Sequence, residues 1–286
     1  MIAKLSIILS AVLVAFSHGQ VSVTMKVDRN TYLENEPVTA VVSITNRSGR
    51  EIFFHSKADG QINRSWLDFA LRESGGKTLN RRNHGVFRAA KLPAGQSISR
   101  RVNLSSLYQI SQQGNFSSNA KIIVNGQTYR SNSTHFTVSS GTVYSTLPFG
   151  APGTKYPDRE YRLITFNDGQ NTAIYTAVHD RKTKLSLSTS RLSTALLFQR
   201  PQATLDGENS LHVLYLSTPE IFVHALINKE GGLIKTEFLK RSAAGVPSFA
   251  AFANGEIKVR GGIPYDPSKE AKERAKARTI SERRTR

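Results

Sequence analysis

The sequence predicts an all-β chain of two modules, and three observations carry that prediction. From Val21 to about residue 140, short runs rich in β-branched residues alternate apolar and polar side chains with period two, the pattern of half-buried strands. From Tyr161 a near-repeat of about 48 residues begins, again written in strands. Between them, residues 141–160 carry Gly141, Pro148, Gly150, Pro152, Gly153 and Pro157, and this density of chain breakers predicts a linker.

Composition bounds the rest. A chain of 286 residues with 38% hydrophobic residues is long and apolar enough for real cores, which excludes a mainly disordered protein. The absence of cysteine excludes a disulfide framework, a zinc–thiolate site and a cysteine nucleophile. Residues 1–19 read as a signal peptide. Lys4 precedes the apolar run Leu5–Phe16, and small residues Ser17 and Gly19 flank His18. That run is too short to span a bilayer, and no later stretch is long and apolar enough for a membrane helix. Export without cysteine suits a bacterial periplasmic or extracellular protein. Five Asn-x-Ser/Thr triplets, at Asn46, Asn63, Asn103, Asn115 and Asn132, would matter only in a eukaryotic host.

In the first module, Val21, Val23, Met25 and Val27 form one alternating strand and Val38, Ala40, Val42 and Ile44 the next, with turns at Asn46–Gly49 and Ser74–Gly76. Further on come Tyr32, Glu36-Pro37, Ile52-Phe53-Phe54, Trp66–Phe69, Leu92–Gly95, Leu104, Tyr108, Gly114-Asn-Phe116 and a last strand at Phe136–Val138. That order of core and turn positions resembles bacterial immunoglobulin-like sandwich modules, including macroglobulin-type domains and the intracellular proteinase inhibitor family. The resemblance covers residues 20–140 and implies a sandwich fold without transferring a function. The only tryptophan, Trp66, is expected in the core, and the Tyr108 hydroxyl is expected to tie a corner.

After the 141–160 linker, Tyr161–Phe166 matches Leu211–Leu216, Ala173–Asp180 matches Ile221–Asn228, and the turn Asp206-Gly207 matches Asn254-Gly255. Each unit reads as a four-stranded meander the size of a propeller blade, but two units cannot close a propeller. The expected outcome for 161–265 is two meanders packed face to face, with the trailing strand Ile257–Gly262 completing the first sheet; part of an oligomeric propeller is the alternative. Residues 266–286 carry eight bases, four acids and one large apolar residue, Ile280, and predict a disordered or weakly helical basic tail.

The formal net charge is +18, and half of it lies in residues 20–146. Between Arg64 and Arg101 nine basic residues face only Asp68 and Glu73. Arg64, Lys77, Arg81, Arg82, Arg88, Lys91, Arg100 and Arg101 are therefore candidates for an anion-binding region, with solubility as the competing reading. Charge gathered on one stretch of an exported chain points to an anionic envelope polymer or another envelope protein rather than nucleic acid. No Gly-x-Ser-x-Gly elbow, His-Glu-x-x-His pair, phosphate loop or dinucleotide fingerprint occurs, and no catalytic residue, metal or cofactor is expected. One weak polar cluster stands out: His212 and His224 fall on neighbouring hairpin strands, with Asp206 and Asn209 just upstream. His179 beside Asp180 reads as structural. The sequence thus suggests an exported, non-catalytic binding or scaffolding protein. The alternatives are a carbohydrate-active or other hydrolytic enzyme with a site in the second module, or an anionic-polymer binder through 64–101.

Overall fold

A computed structural model of the chain describes residues 21–55, 57–59, 62–83, 87–150, 155, 158–243 and 245–284, without the side chains of 57–59, 62–64, 274 and 277–284. The expected signal peptide, the Arg64 side chain, His84, the breakers Pro152, Gly153 and Pro157, and Ile280's side chain lie outside the described residues.

The first module runs β1 Val21–Val27, β2 Thr31–Leu33, β3 Thr39–Asn46, β4 Ile52–Phe54, β5 Lys57–Asp59, β6 Ile62–Arg64, β7 Leu67–Glu73, β8 Ala90–Leu92, β9 Ser97–Asn103, the single turn α1 Leu104–Leu107, β10 Gly114–Val124, β11 Gln127–Arg130 and β12 Thr134–Ser139. One sheet has the order β1-β3-β9. Facing it, β10 pairs with β7, β11 and β12, and β2 joins β12 in parallel. Alternation does the sorting. Val23, Met25, Val42 and Ile44 of the first sheet share one core with Leu67, Phe69, Leu71, Phe116, Ile122, Phe136 and Val138 of the second. Each such side chain contributes about 1.5–3 kcal/mol when removed from water. Asn125 and Gly126, both at positive φ, turn β10 into β11 as an Asn-Gly hairpin. Trp66 is in the core, its ring centroid 4.5 Å from that of Phe54 and its indole N–H donating to the Arg88 carbonyl at 3.0 Å. The Tyr108 hydroxyl donates to the Phe69 carbonyl and ties the corner. Two triplet asparagines have structural work: Asn46 is fully buried, donating to the Arg50 and Leu92 carbonyls, and Asn132 bonds both backbone polar groups of Met25 on the free edge of β1.

The second module differs from expectation in three places. Residues 142–149 are a strand, β13 Thr142–Phe149, although the breakers predicted a linker. Pro148 is tolerated because β13 is an edge strand, where a missing N–H leaves no ladder bond unmade. With β14 Arg159–Asn167, β15 Thr172–Asp180 and β16 Ser186–Thr194 it forms a meander of order β13-β14-β15-β16. The next strand, β17 Gln202–Leu205, leaves that sheet and starts a second, β17-β18-β19-β20-β23, with β18 Leu211–Leu216, β19 Ile221–Ile227, β20 Leu233–Lys240 and, after the hairpin β21 Ser248–Ala251 and β22 Ile257–Arg260, β23 Ile263–Tyr265. Each sheet is thus shifted by one strand from the unit read in the sequence. The trailing strand does not complete the first sheet. Among the described residues Ile257–Arg260 pairs only with β21, and β23 extends the second. The inner faces meet through Tyr161, Leu163, Ile174 and Val178 on one side and Leu211, Val213, Tyr215, Val223 and Ala225 on the other. The tail is helix α2, Pro267–Arg284, opened by the Asp266 side chain accepting the Ser268 N–H at 2.9 Å.

No helix among the described residues is long and apolar enough to cross a membrane.

Candidate functional site

The sequence-level polar cluster assembles in part, and it gains a member. In β18 Leu211, Val213 and Tyr215 face the inner core, so His212 points to the outer face with Leu214 and Leu216. In β19 the same alternation puts His224 beside Phe222 on that face. Register places His224 opposite Leu214 and His212 opposite Leu226, so the two rings are diagonal neighbours. They stack with centroids 5.2 Å apart and 14° between planes. Nδ1 of His212 lies 3.0 Å from Nε2 of His224.

Both ends of this pair meet carboxylates. Nε2 of His212 is 3.3 Å from Asp206, whose other oxygen accepts the Glu208 and Ser210 N–H groups and fixes the β17–β18 turn. Nδ1 of His224 is 2.8 Å from Glu237, its cross-strand partner on β20. Asn209 does not join: it supplies positive-φ turn backbone, and its carbonyl accepts from the Tyr161 hydroxyl at 3.1 Å. Glu237 was missed because nothing in the sequence fixes the β19–β20 register. Phe249, on the β21–β22 hairpin, closes the site edge-on at 6.1 Å from the His212 ring and 5.6 Å from that of His224. Each histidine is only 6% exposed. Burial holds the His224 imidazole below its ordinary range against the opposing bond from Glu237. The bond from Lys235, 2.6 Å away, leads the causes that hold Glu237 low. No group of three or more His, Asp or Glu residues able to hold a metal occurs among the described residues.

A second buried polar system, unforeseen in the sequence, joins the modules. Arg29, just after β1, pairs bidentately with Glu36 and donates to the Tyr175 hydroxyl of β15 at 2.8 Å. Glu36 is 4% exposed and also accepts the Leu33 N–H at 3.0 Å. Burial lowers the Arg29 pKa, but the bonds and charge of Glu36 prevail and keep the guanidinium firmly protonated. Burial pushes the Tyr175 hydroxyl up to about 12. Around this clamp Leu33 enters one apolar cluster with Ile164, Phe166, Ala173, Tyr175 and Ala177. Gly141 lets the chain pass there, since a Cβ would sit 2.5 Å from Ile164 Cγ2 and 2.9 Å from the Thr165 carbonyl. Beside the clamp, Asp28, Asn30, Thr31, Asp168 and Gln170 line a polar cleft of about 230 Å³.

The basic candidates do not form one patch. Arg81 is consumed internally, ion-paired with Asp68 and placed over the Tyr108 ring. Lys77 edges a cleft of about 210 Å³ with Glu73, Asn80, Gln109, Ser111 and Gln112. Arg100 and Arg101 lie on β9, in the other sheet, opposite Val42 and Val41 and therefore on opposite faces of their strand. Arg82, Arg88 and Lys91 are exposed, Lys91 over the Phe53 ring at 5.1 Å, and none of the three makes an ion pair among the described residues. Burial and the nearby Arg162 hold the His179 imidazole below its ordinary range.

No protein-family model and no curated protein sequence matches the chain. Among solved structures it is similar to the Pseudomonas fluorescens alkylpurine DNA glycosylase AlkC, at 17% identity and a TM-score of 0.27, with 42% of this chain and only 31% of that chain covered. It is also similar to the periplasmic chaperone SfaE, at 11% identity and a TM-score of 0.26 over 75% of this chain and 97% of that one. The C-terminal domain of the Streptococcus pyogenes antigen I/II-family protein AspA gives 11% identity and a TM-score of 0.26 over 77% and 99%. Likenesses this distant carry no argument about function, and what the structure shows is an all-β chain of several sheets.

Proposed function

We propose that this chain is an exported, non-catalytic binding or scaffolding protein of the bacterial cell envelope. One observation carries the reading: the junction between the modules is built as core. Leu33, Ile164, Phe166 and Tyr175 pack across it and the Arg29–Glu36–Tyr175 clamp bridges it, which supports a joint that resists bending. A scaffold needs that rigidity, whereas an enzyme that closes on substrate draws on mobile joints. The test is co-sedimentation of the mature chain with isolated bacterial envelopes, run beside hydrolysis of a panel of chromogenic glycosides and esters. Saturable sedimentation without turnover supports the reading. Turnover would move the chain to the hydrolase alternative, and absence of sedimentation would remove the envelope.

A second reading is favoured by the exposed Arg82, Arg88 and Lys91, which make no ion pair among the described residues and suit the sulfate, phosphate or carboxylate groups of an anionic polymer. Changing these three to Ser is expected to abolish salt-sensitive retention on heparin. Arg81 belongs in the control instead, because its ion pair with Asp68 is structural. Retention unchanged in the triple variant would retire the region.

A further inference from the structure

We infer that the outer face of the sheet formed by β7, β10, β11 and β12 binds an anionic polysaccharide, gripped by two cationic rows with a hydrogen-bonding floor between them. Alternation aims Phe116, Ala120 and Ile122 of the central strand β10 into the core, so Ser117, Asn119 and Lys121 face out. Register fixes their neighbours. Lys121 lies between Arg130 of β11 and Asp68 of β7, and Ser117 lies between His135 of β12 and Arg72 of β7. Asn119, midway along β10, stands beside Ala70. The two rows are separated by about 13 Å, the rise of four strand residues. Asp68 is the one acid in these rows, and Arg81 pairs with it, so it leaves the other cations their charge. Arg72 and Arg130 are exposed, Lys121 is half-buried, and none of the three makes an ion pair among the described residues.

Three features select the ligand. Charge comes first, since cations on one sheet face around an acid that is already paired attract a polyanion. Second, the side-chain carbonyl of Asn119 is buried and accepts no hydrogen bond among the described residues, which costs free energy until a donor reaches it. The amide turns about a soft terminal torsion, which swings that oxygen to the surface when a donor arrives. An anion cannot supply the donor, whereas a sugar hydroxyl can, and Ala70 is too small to fill the space beside it. Third, the outward positions of these strands carry no Phe, Tyr or Trp among the described residues, and Tyr129 of β11 packs inward against the core. Single-stranded nucleic acid, which relies on stacked bases, therefore finds no platform. A chain of sugars bearing carboxylate or sulfate groups meets all three conditions. Its anions reach Lys121 with Arg130 at one end and Arg72 with His135 at the other, and a hydroxyl between them donates to Asn119. Charge counting along the sequence misses this face, because Lys121 and Arg130 lie far from Arg72 in the chain and only sheet pairing brings them together.

The inference shares with the proposed function only the setting of an envelope ligand, and it stands even if Arg82, Arg88 and Lys91 bind nothing. The full mature chain is titrated calorimetrically with a heparin oligosaccharide, a dextran oligosaccharide of the same length, inorganic polyphosphate and single-stranded DNA. Wild type is expected to bind heparin and ignore dextran, with an affinity that falls as salt rises. Lys121→Gln with Arg130→Gln, and separately Arg72→Gln, are each expected to weaken heparin binding about tenfold, the worth of one hydrogen bond to a charged group, and to flatten the salt dependence. Should the double variant not fold, Arg130→Gln alone, at an exposed position, takes its place. Asn119→Ala is expected to weaken heparin binding and leave polyphosphate binding unchanged, because polyphosphate has no sugar hydroxyl to donate. Heparin binding that survives both row variants, an Asn119→Ala variant that loses both ligands or neither, DNA binding as tight as heparin binding, or no heparin binding by wild type would each overturn the inference. Loss confined to the Arg82, Arg88 and Lys91 triple variant would place the polymer on that region and overturn it too. Envelope sedimentation that fails while heparin still binds through these rows would remove the proposed function and leave this inference standing.

Discussion

Replacing Arg29 by methionine tests whether the joint is held as the structure indicates. The substitution keeps most of the aliphatic volume and removes the charge. Glu36, 4% exposed, then keeps only the Leu33 N–H for a carboxylate that had been paired bidentately. Stranding one partner of a buried ion pair costs about 3–5 kcal/mol. For a protein of this size about 3 kcal/mol lowers Tm by roughly 6–12 °C. The pair is not worth that much in itself, since its desolvation offsets most of the attraction, so Arg29→Met with Glu36→Gln is expected to recover most of the loss. Urea unfolding followed by Trp66 fluorescence, which reports only the first module, and by far-UV circular dichroism, which reports both, separates two effects. In wild type the two curves are expected to coincide because the joint couples the modules. In Arg29→Met they are expected to move to lower urea and to part. A loss below about 1 kcal/mol, or a double variant no better than the single, would refute the clamp.

Other consequences follow from the same contacts. Gly141→Ala is expected to destabilise by about 1–3 kcal/mol through overpacking alone, its Cβ meeting Ile164 and the Thr165 carbonyl; an unchanged urea midpoint would show that the joint can shift. Leu33→Ala, which empties a site 3% exposed between the modules, is expected to cost about 2–5 kcal/mol and to separate the fluorescence and dichroism curves. Stability is expected to fall with acid in two stages. Because the folded His224 pKa lies below the ordinary 6.5, the unfolded chain binds more protons there and stability is lost as pH drops through 6.5, with a slope of at most about 1.4 kcal/mol per pH unit. Glu237, held below 4.5, contributes stability that is present above that value and is lost below it; a flat profile from pH 7 to 5 would contradict the first stage.

The strands were legible because their patterning is local. Val21 to Val27, Thr39 to Asn46 and the apolar strands at 211–216 and 221–227 announce themselves by alternation or by continuous hydrophobicity, whatever they later pair with. Pairing is not local. The repeat suggested a four-stranded meander beginning at Tyr161, yet its fourth strand, β17, crosses to the other sheet, where β18 follows it through the single turn at Asp206–Ser210 and pairs with it. The breaker-rich 141–160 segment misled for a related reason. Proline forbids a central strand but not an edge, and which strand lies at an edge is fixed only by the assembled sheet.

The sites divide along the same line. His212 and His224 were visible because a hairpin makes them neighbours, and Asp206 because it sits six residues from His212. Glu237 needed a register, and Phe249 a hairpin folding back over the sheet. Arg29, Glu36 and Tyr175 could not be seen at all, because Arg29 and Tyr175 are 146 residues apart and Arg and Glu are residue types that ordinarily face water. Burial gives these polar groups their importance, and burial is a property of the assembled modules. That places the informative residues of this protein at its contacts between parts: the clamp between β2's neighbourhood and β15, and the stacked histidines where a hairpin meets a sheet. Both are polar groups enclosed by apolar ones, where removing one partner leaves the other without the water it would need, so the cost of a single substitution there is far larger than at the surface.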